Sequence, residues 1–79
     1  MERIELRQLK YVRKPDRNYD KIVEILKDFD DIKIYQTGKT AFVQRKNTLI
    51  RLTWNDARVS GWRDPYDVLY DLKEAEGGE

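Results

Sequence analysis

Residues 31–55, DIKIYQTGKTAFVQRKNTLIRLTWN, decide the fold. Apolar and polar residues alternate through most of this stretch, which is typical of β-strands with one buried face. Gly38-Lys39 interrupts the alternation, and either Lys46-Asn47 or Asn47-Thr48 interrupts it again, as tight hairpin turns do. The pattern therefore predicts three antiparallel strands, at 31–37, 40–46 and 48–55.

The two turns also predict which side chains share a face of this sheet. A turn at Gly38-Lys39 places Tyr35 opposite Phe42, and either version of the second turn keeps Val43 on the face of Ile50. One face then collects the apolar residues Ile32, Ile34, Ala41, Val43, Ile50, Leu52 and Trp54. The other face collects Lys33, Tyr35, Thr37, Phe42, Gln44, Leu49, Arg51 and Thr53. Trp54 is accordingly predicted to lie in the core.

Two amphipathic helices flank these strands. Apolar residues recur at helical spacing over 19–29 and predict a helix there, capped by Asn18 or Asp16. Asp64-Pro65 predicts a second helix that reaches about residue 75, because aspartate caps helix N-termini and proline suits the first helical position. The buried stripes comprise Tyr19, Ile22, Val23, Leu26 and Phe29 in the first helix, and Val68, Leu69 and Leu72 in the second.

Two segments are less regular. Residues 2–13 alternate as a weak strand, but the phase changes near Gln8-Leu9, so a bulge there or a short helix in place of the strand is expected. Residues 56–63 are interpreted as a loop with a turn at Ser60-Gly61.

The predicted element order is β-α-β-β-β-α. Two helices packed on one face of an antiparallel sheet form a two-layer α+β sandwich. At 79 residues the chain has room for one domain. We expect that domain to span 1–75 and to be followed by a flexible C-terminal tail at 76–79.

Composition limits the possible functions. The chain has no cysteine and no histidine, which excludes disulfides and thiol catalysis and removes the commonest general base and metal ligand. So small a core leaves little room for a deep cleft. We therefore expect no catalytic residues, no metal, no cofactor and no small-molecule substrate. Among enzymes, only a Mg²⁺-dependent nuclease using aspartate and glutamate suits the composition.

The surroundings of the protein are also constrained. The N-terminus has no apolar run behind it and no long apolar stretch follows, so an intracellular, cytoplasmic protein without membrane contact is expected. Charged residues make up 39% of the chain, which suits a thermostable protein as well as any very small domain.

Asp28, Asp30 and Asp31 cluster at a helix C-terminus, where the dipole disfavours them. The cluster is interpreted either as a weak cation site or as a group of negative charges that Lys27 and Lys33 neutralise.

Charge is divided between the elements, although the net charge is only +1. Residues 32–63 hold seven basic residues and one acidic residue, whereas 64–79 hold one basic and six acidic residues. Residues 18–31 are likewise acidic. A basic sheet and acidic helices are therefore expected, and such a field steers an anionic partner toward the sheet.

The uncovered face of the sheet is the predicted binding surface. Single-stranded nucleic-acid binders stack bases on aromatic rings while nearby cations hold phosphates, and Tyr35, Phe42 and Arg51 fit that description. The predicted surface comprises Lys33, Tyr35, Lys39, Phe42, Gln44, Lys46, Arg51, Arg58, Trp62 and Arg63, and a basic arm comprises Lys10, Arg13, Lys14 and Arg17. Trp62 is open to two interpretations, core packing or an exposed anchor.

Protein binding is the alternative function for the same surface. Tyr35, Phe42 and Leu49 form an apolar patch rimmed by charge, which is typical of protein interfaces. A homodimer, or a regulatory or inhibitor module, would use it. These residue types are also common in ordinary strands, so their presence does not distinguish a nucleic-acid partner from a protein partner.

Overall fold

The computed structural model describes residues 2–10 and 16–77. The described strands are β1 (Arg3–Ile4), β2 (Ile32–Thr37), β3 (Thr40–Arg45), β4 (Thr48–Arg51), β5 (Thr53–Asn55) and β6 (Ser60–Trp62). The helices are a 3₁₀-helix (Leu6–Gln8), α1 (Arg17–Leu26) and α2 (Pro65–Gly77). Strands β1 to β4 form one antiparallel sheet, and β5 and β6 form a separate hairpin. The predicted α+β sandwich is confirmed.

The four-stranded sheet runs in the order β1-β2-β3-β4. The predicted pairing of Tyr35 with Phe42 is confirmed. Val43 and Ile50 share a face as predicted, and they are paired with each other. Gly38 has a φ of +57° in the first turn, a conformation that glycine adopts without steric cost. The second turn is Lys46-Asn47, between the paired residues Arg45 and Thr48.

The N-terminal segment combines a very short strand with a short helix. Only Arg3–Ile4 pairs with β2, and the 3₁₀-helix follows at once. Glu5 stands at the N-cap position of that helix, and the side chain of Gln8 folds back on it, because Gln8 Oε1 accepts from the Glu5 N–H at 2.8 Å. The short-helix interpretation is confirmed for 6–8, so a continuous strand is wrong as far as residue 10. Residues 11–13 of the predicted strand lie outside the described residues.

The predicted third strand breaks at Leu52. The Leu52 N–H donates to Ala41 O at 2.8 Å, but Leu52 O accepts from the Arg63 N–H at 3.0 Å. The chain therefore leaves β3 at this residue and begins to pair with β6. Thr53 Oγ1 takes the place of the lost carbonyl, accepting from the Ala41 N–H at 3.1 Å.

This change of partner shifts the alternation by one residue. Leu52 and Thr53 are both fully buried, whereas Trp54 is 43% exposed. The Trp54 ring packs on Gly61, where an added Cβ would lie only 3.1 Å from it. The core position predicted for Trp54 and the outer position predicted for Thr53 are both wrong, because one continuous register does not extend across the corner at Leu52.

Strand β6 occupies residues that the sequence assigned to a loop. It pairs with β5 through Asn55 and Ser60, and residues 56–59 form the connecting loop. The Asp56 N–H closes this loop by donating to Val59 O at 2.7 Å. The predicted turn at Ser60-Gly61 is therefore wrong.

Aspartates cap both helices. Asp16 Oδ1 accepts from the Asn18 N–H at 3.0 Å, so Asp16 rather than Asn18 is the cap of α1. Asp64 Oδ1 accepts from the Tyr66 N–H at 2.8 Å at the start of α2. Helix α1 ends at Leu26, three residues before its predicted end, and α2 continues to Gly77. Residues 78 and 79 of the predicted tail lie outside the described residues.

The core lies between the helices and one face of the sheet. Its buried apolar residues are Leu9, Ile22, Leu26, Ile34, Ala41, Val43, Ile50, Leu52, Trp62, Val68, Leu72 and Ala75. The Trp62 ring meets Tyr19 edge-on, with centroids 5.1 Å apart. Both helices therefore cover the same face, and no helix of residues 2–10 and 16–77 covers the opposite face of the sheet.

A buried arginine connects the sheet to the helices. Arg45 projects from the core face of β3 and is 6% exposed. Its Nε donates to both carboxylate oxygens of Asp31 at 3.1 Å, and its Nη1 donates to Leu72 O at 2.7 Å. The guanidinium lies 4.6 Å from the Phe29 ring centroid. The partner of Asp31 is thus Arg45, where the sequence had suggested Lys27 or Lys33.

Candidate nucleic-acid interface

We refer to the uncovered side of the β1–β4 sheet as the outer face. Its strand residues are Arg3, Lys33, Tyr35, Thr37, Thr40, Phe42, Gln44, Leu49 and Arg51, and all of them are exposed or half-buried. Strands β1 to β4 contain no acidic residue. The charge that these strands present on the outer face is therefore entirely positive.

Four outer-face side chains form a row across the four strands, which we name the aromatic row. The register places Arg3 opposite Tyr35, Tyr35 opposite Phe42, and Phe42 opposite Arg51. Because neighbouring strands lie about 4.8 Å apart, the row spans roughly 14 Å. It presents two adjacent rings with a cation at each end, an arrangement that suits two stacked bases and their flanking phosphates.

Sequence reasoning missed Arg3. The alternation of Arg3 with Ile4 does indicate that Arg3 points away from the core. The sequence does not show which strand this segment joins, however, because β1 has only two residues and no hairpin connects it to β2. The pairing of Arg3 with Tyr35 is a long-range contact that the local pattern does not specify.

Several predicted residues surround the aromatic row. Lys33, Gln44 and Leu49 form the next row along the sheet, and Leu49 is 59% exposed. Lys39 and Lys46 are exposed in the turns at the two ends of β3. The structure therefore brings Lys33, Tyr35, Phe42, Gln44 and Arg51 together and places Lys39 and Lys46 at the margins.

Other predicted residues lie elsewhere. Trp62 is 2% exposed, so the core-packing interpretation is confirmed and the exposed-anchor interpretation is wrong. Arg63 is held between β4 and α2, because Nη1 donates to Arg51 O at 2.8 Å and Nη2 lies 3.0 Å from Asp71 Oδ2. Arg58 is exposed in the loop that joins β5 to β6.

The predicted basic arm does not join the outer face where it is described. The Lys10 N–H and carbonyl both bond to the side chain of Gln36, at 2.9 and 3.0 Å. Gln36 pairs with the buried residue Ala41 and so belongs to the helix-covered side. Arg17 begins α1 on that same side. Arg13 and Lys14 lie outside the described residues.

A polar cluster lies at the β4–β5 corner, beside the Arg51 end of the aromatic row. With its amide placed so that both polar atoms are satisfied, Asn55 Oδ1 accepts from Arg51 Nη2 at 2.7 Å and from Thr40 Oγ1 at 3.2 Å. Its Nδ2 donates to Ser60 Oγ at 2.9 Å and to Trp54 O at 3.0 Å. The contacts with Thr40, Ser60 and the Trp54 carbonyl therefore fix the Asn55 amide, and the amide in turn holds the guanidinium of Arg51.

Two tyrosines of the helix layer, Tyr19 and Tyr70, have a raised pKa. Burial, and then the charge of Asp20, raise the pKa of Tyr19, whose hydroxyl donates to Leu9 O at 2.6 Å. A hydrogen bond to Glu74 at 2.7 Å, followed by the charge of that carboxylate, raises the pKa of Tyr70. Both effects keep a tyrosine neutral, and neither residue lies on the outer face.

The chain matches no known family model, curated protein or solved structure. Neither helix of the described residues has the length and apolar character needed to cross a membrane. Within 2–10 and 16–77 there is also no group of three or more carboxylates placed to hold a metal ion.

Proposed function

We propose that this protein is a non-catalytic binder of single-stranded nucleic acid and that it binds through its outer face. The observation that carries the proposal is the aromatic row, in which Tyr35 and Phe42 stand side by side between Arg3 and Arg51. Every base has a flat π-face, so a pair of rings accepts two bases of any sequence, while the flanking arginines bind phosphate oxygens.

The distribution of charge supports this choice of partner. The strands of the outer face carry cations and no carboxylates, whereas residues 64–77 of the helix layer hold five acidic residues and one basic residue. A polyanion approaching from solvent is attracted to one side and repelled from the other. The field therefore orients a nucleic acid toward the aromatic rings.

Replacing both rings tests the proposal. Stacking on an aromatic side chain contributes about 1–3 kcal/mol per base, so Tyr35→Ala with Phe42→Ala should weaken binding of a short labelled single strand by roughly 30-fold or more. Fluorescence anisotropy measures the Kd. The matched control is Tyr66→Ala with Tyr70→Ala, because those rings are 71% and 63% exposed on α2, on the opposite layer. This control should bind like the parent protein.

The fold of each variant is checked by circular dichroism and thermal unfolding. Because Tyr35 and Phe42 are half-buried, a second pair, Tyr35→Leu with Phe42→Leu, retains apolar bulk while removing the π-faces. A folded leucine variant that binds like the parent protein would refute the proposal. So would the absence of salt-sensitive binding by the parent between about 50 and 200 mM salt, a range over which multi-phosphate contacts lose orders of magnitude in affinity.

Protein contact is the second candidate, and Leu49 is the observation that favours it. Leu49 is 59% exposed on β4, which is an edge strand. Because the Leu52 N–H bonds to β3, the alternation of the ladder points the Leu49 N–H and C=O toward the open edge. Such an edge can pair with another strand. Self-association that hardly changes with salt, without nucleic-acid binding, would favour this candidate.

A further inference from the structure

The side chain of Arg51 is placed to meet the edge of a base rather than only a phosphate. Phe42 and Arg51 are opposite one another in the ladder, and the hydrogen bond from the Leu52 N–H to Ala41 O makes them a non-hydrogen-bonded pair. Side chains in such pairs stand closer than in hydrogen-bonded pairs. The Arg51 side chain therefore leaves the sheet beside the ring on which a base would stack, and its guanidinium lies toward Thr40, the neighbour of Phe42 on the same face of β3.

Asn55 restricts the guanidinium to that position. Its Oδ1 accepts from Arg51 Nη2 at 2.7 Å, and the amide is itself fixed by Thr40, Ser60 and the Trp54 carbonyl. A guanidinium has five N–H donors arranged along its edges. Because Asn55 uses one hydrogen of Nη2, a complete edge with two parallel donors stays available to a ligand. Asn55 acts here as a positioning residue.

The chemistry of two parallel donors selects among the bases. Guanine presents two adjacent acceptors, O6 and N7, which match an arginine fork, whereas adenine presents a donor beside N7. Thymine lacks such a pair, because its N3–H donor separates the two carbonyl oxygens. Unpaired cytosine presents O2 and N3 side by side, but its single ring stacks on Phe42 over a smaller area than a purine does. A phosphate also accepts two parallel N–H bonds, but a phosphate contact gives equal affinity for every base. Base preference therefore separates the two modes of binding.

We propose that Arg51, oriented by Asn55, recognises a guanine that stacks on Phe42, so that the outer face prefers single strands containing guanine. This inference rests on the proposed function, because it assumes that single strands occupy the aromatic row. It adds one preferred base to a stacking surface that alone tolerates every base. Arg3, at the other end of the row, remains available for phosphate.

The probes are short oligothymidylates in which one central position is thymine, guanine, adenine or cytosine. A bidentate contact discriminates by about 1–3 kcal/mol, so the parent protein should bind the guanine probe roughly tenfold more tightly than the adenine and thymine probes. The cytosine probe should fall between them, because cytosine offers two acceptors but a smaller stacking area. Arg51→Lys retains the charge but lacks the fork. It should bind all four probes equally. Lys33→Gln is the control, because loss of a phosphate contact weakens all probes alike.

Asn55 is tested through the same preference. Asn55→Ala should reduce the preference for guanine, because the guanidinium is then no longer held beside Phe42. Asn55→Asp retains an acceptor for Arg51 Nη2 and should restore part of the preference, because its second oxygen cannot donate to the Trp54 carbonyl as the amide does. The added negative charge weakens binding of every probe. A purely structural role for Asn55 would change affinity or stability without changing the order of the four probes.

Each remaining outcome is decisive. Equal binding of the four probes by the parent protein would overturn the inference and leave the proposed function standing. A guanine preference that survives in Arg51→Lys would also overturn it, since another group would then read the base. If the parent protein binds none of the probes, the proposed function itself fails and this inference fails with it.

Discussion

Arg45 is the clearest case in which a single residue connects sequence to stability. It has the parity of Ala41 and Val43, so strand alternation places a charged side chain in the core. The charge is tolerated because Asp31 and the Leu72 carbonyl accept hydrogen bonds from the guanidinium, and the Phe29 ring makes a cation–π contact with it. A buried charge without such partners costs several kcal/mol.

Arg45→Ala should therefore lower the free energy of unfolding by about 2–3 kcal/mol, through lost packing and a buried acceptor left unsatisfied, while Asp31, whose side chain is 43% exposed, is solvated by water. The substitution leaves the Leu72 carbonyl without this donor and opens a void beside Phe29. Urea unfolding measures the change. Arg58→Ala is the matched control, because Arg58 is exposed in a loop, and it should change stability by less than about 0.5 kcal/mol. Equal stability of the two variants would refute this account of Arg45.

At the scale of elements, the corner at Leu52 explains why the hairpin β5–β6 exists. Regular pairing with β3 would require Leu52 O to accept from the Ala41 N–H, but that carbonyl accepts from Arg63 instead. The Thr53 hydroxyl accepts from the Ala41 N–H in its place and lies fully buried. One side chain thus allows the strand to change partners without leaving a buried donor unsatisfied.

Thr53→Val should destabilise the fold by about 1–3 kcal/mol, because it keeps the shape of the side chain but leaves the Ala41 N–H without an acceptor. Thr53→Ser keeps the hydroxyl and loses one methyl group, which costs about 1 kcal/mol. Thermal unfolding of both variants makes the comparison. A valine variant as stable as the parent would show that the hydroxyl does not support the corner.

The same corner marks the limit of what the sequence predicts. The register of β2, β3 and β4 followed from two short turns and a period of two, both of which are local signals. Trp54 and Thr53 were misplaced because the change of partner at Leu52 depends on Arg63, which lies eleven residues further along the chain. Arg3 was missed for a similar reason, since its pairing with Tyr35 spans the whole of α1. Local pattern specified the two hairpins that join β2, β3 and β4, whereas non-local contacts specified β1, the corner at Leu52 and the β5–β6 hairpin.

At the scale of the whole molecule, the separation of charge matters more than its sum. The net charge of +1 gives no reason to expect a polyanionic partner. The layers differ, however, because the outer face presents cations and the helix layer carries most of the carboxylates. If the partner responds to net charge, the loss of any one lysine should lower its affinity equally. If the partner binds the outer face, the loss of a lysine on that face should lower the affinity more than the loss of a lysine elsewhere.

Two lysine substitutions separate these possibilities. Lys33 is exposed on the outer face and Lys73 is exposed on α2, so Lys33→Gln and Lys73→Gln change the net charge by the same amount on opposite layers. If Lys33 binds one phosphate, its loss should lower the slope of log K against log salt by about 0.7 for a single strand, because one fewer counterion is released. Lys73→Gln should leave that slope unchanged. Anisotropy titrations at several salt concentrations measure both slopes, and equal changes in the two variants would mean that the strand senses overall charge and does not sit on the outer face.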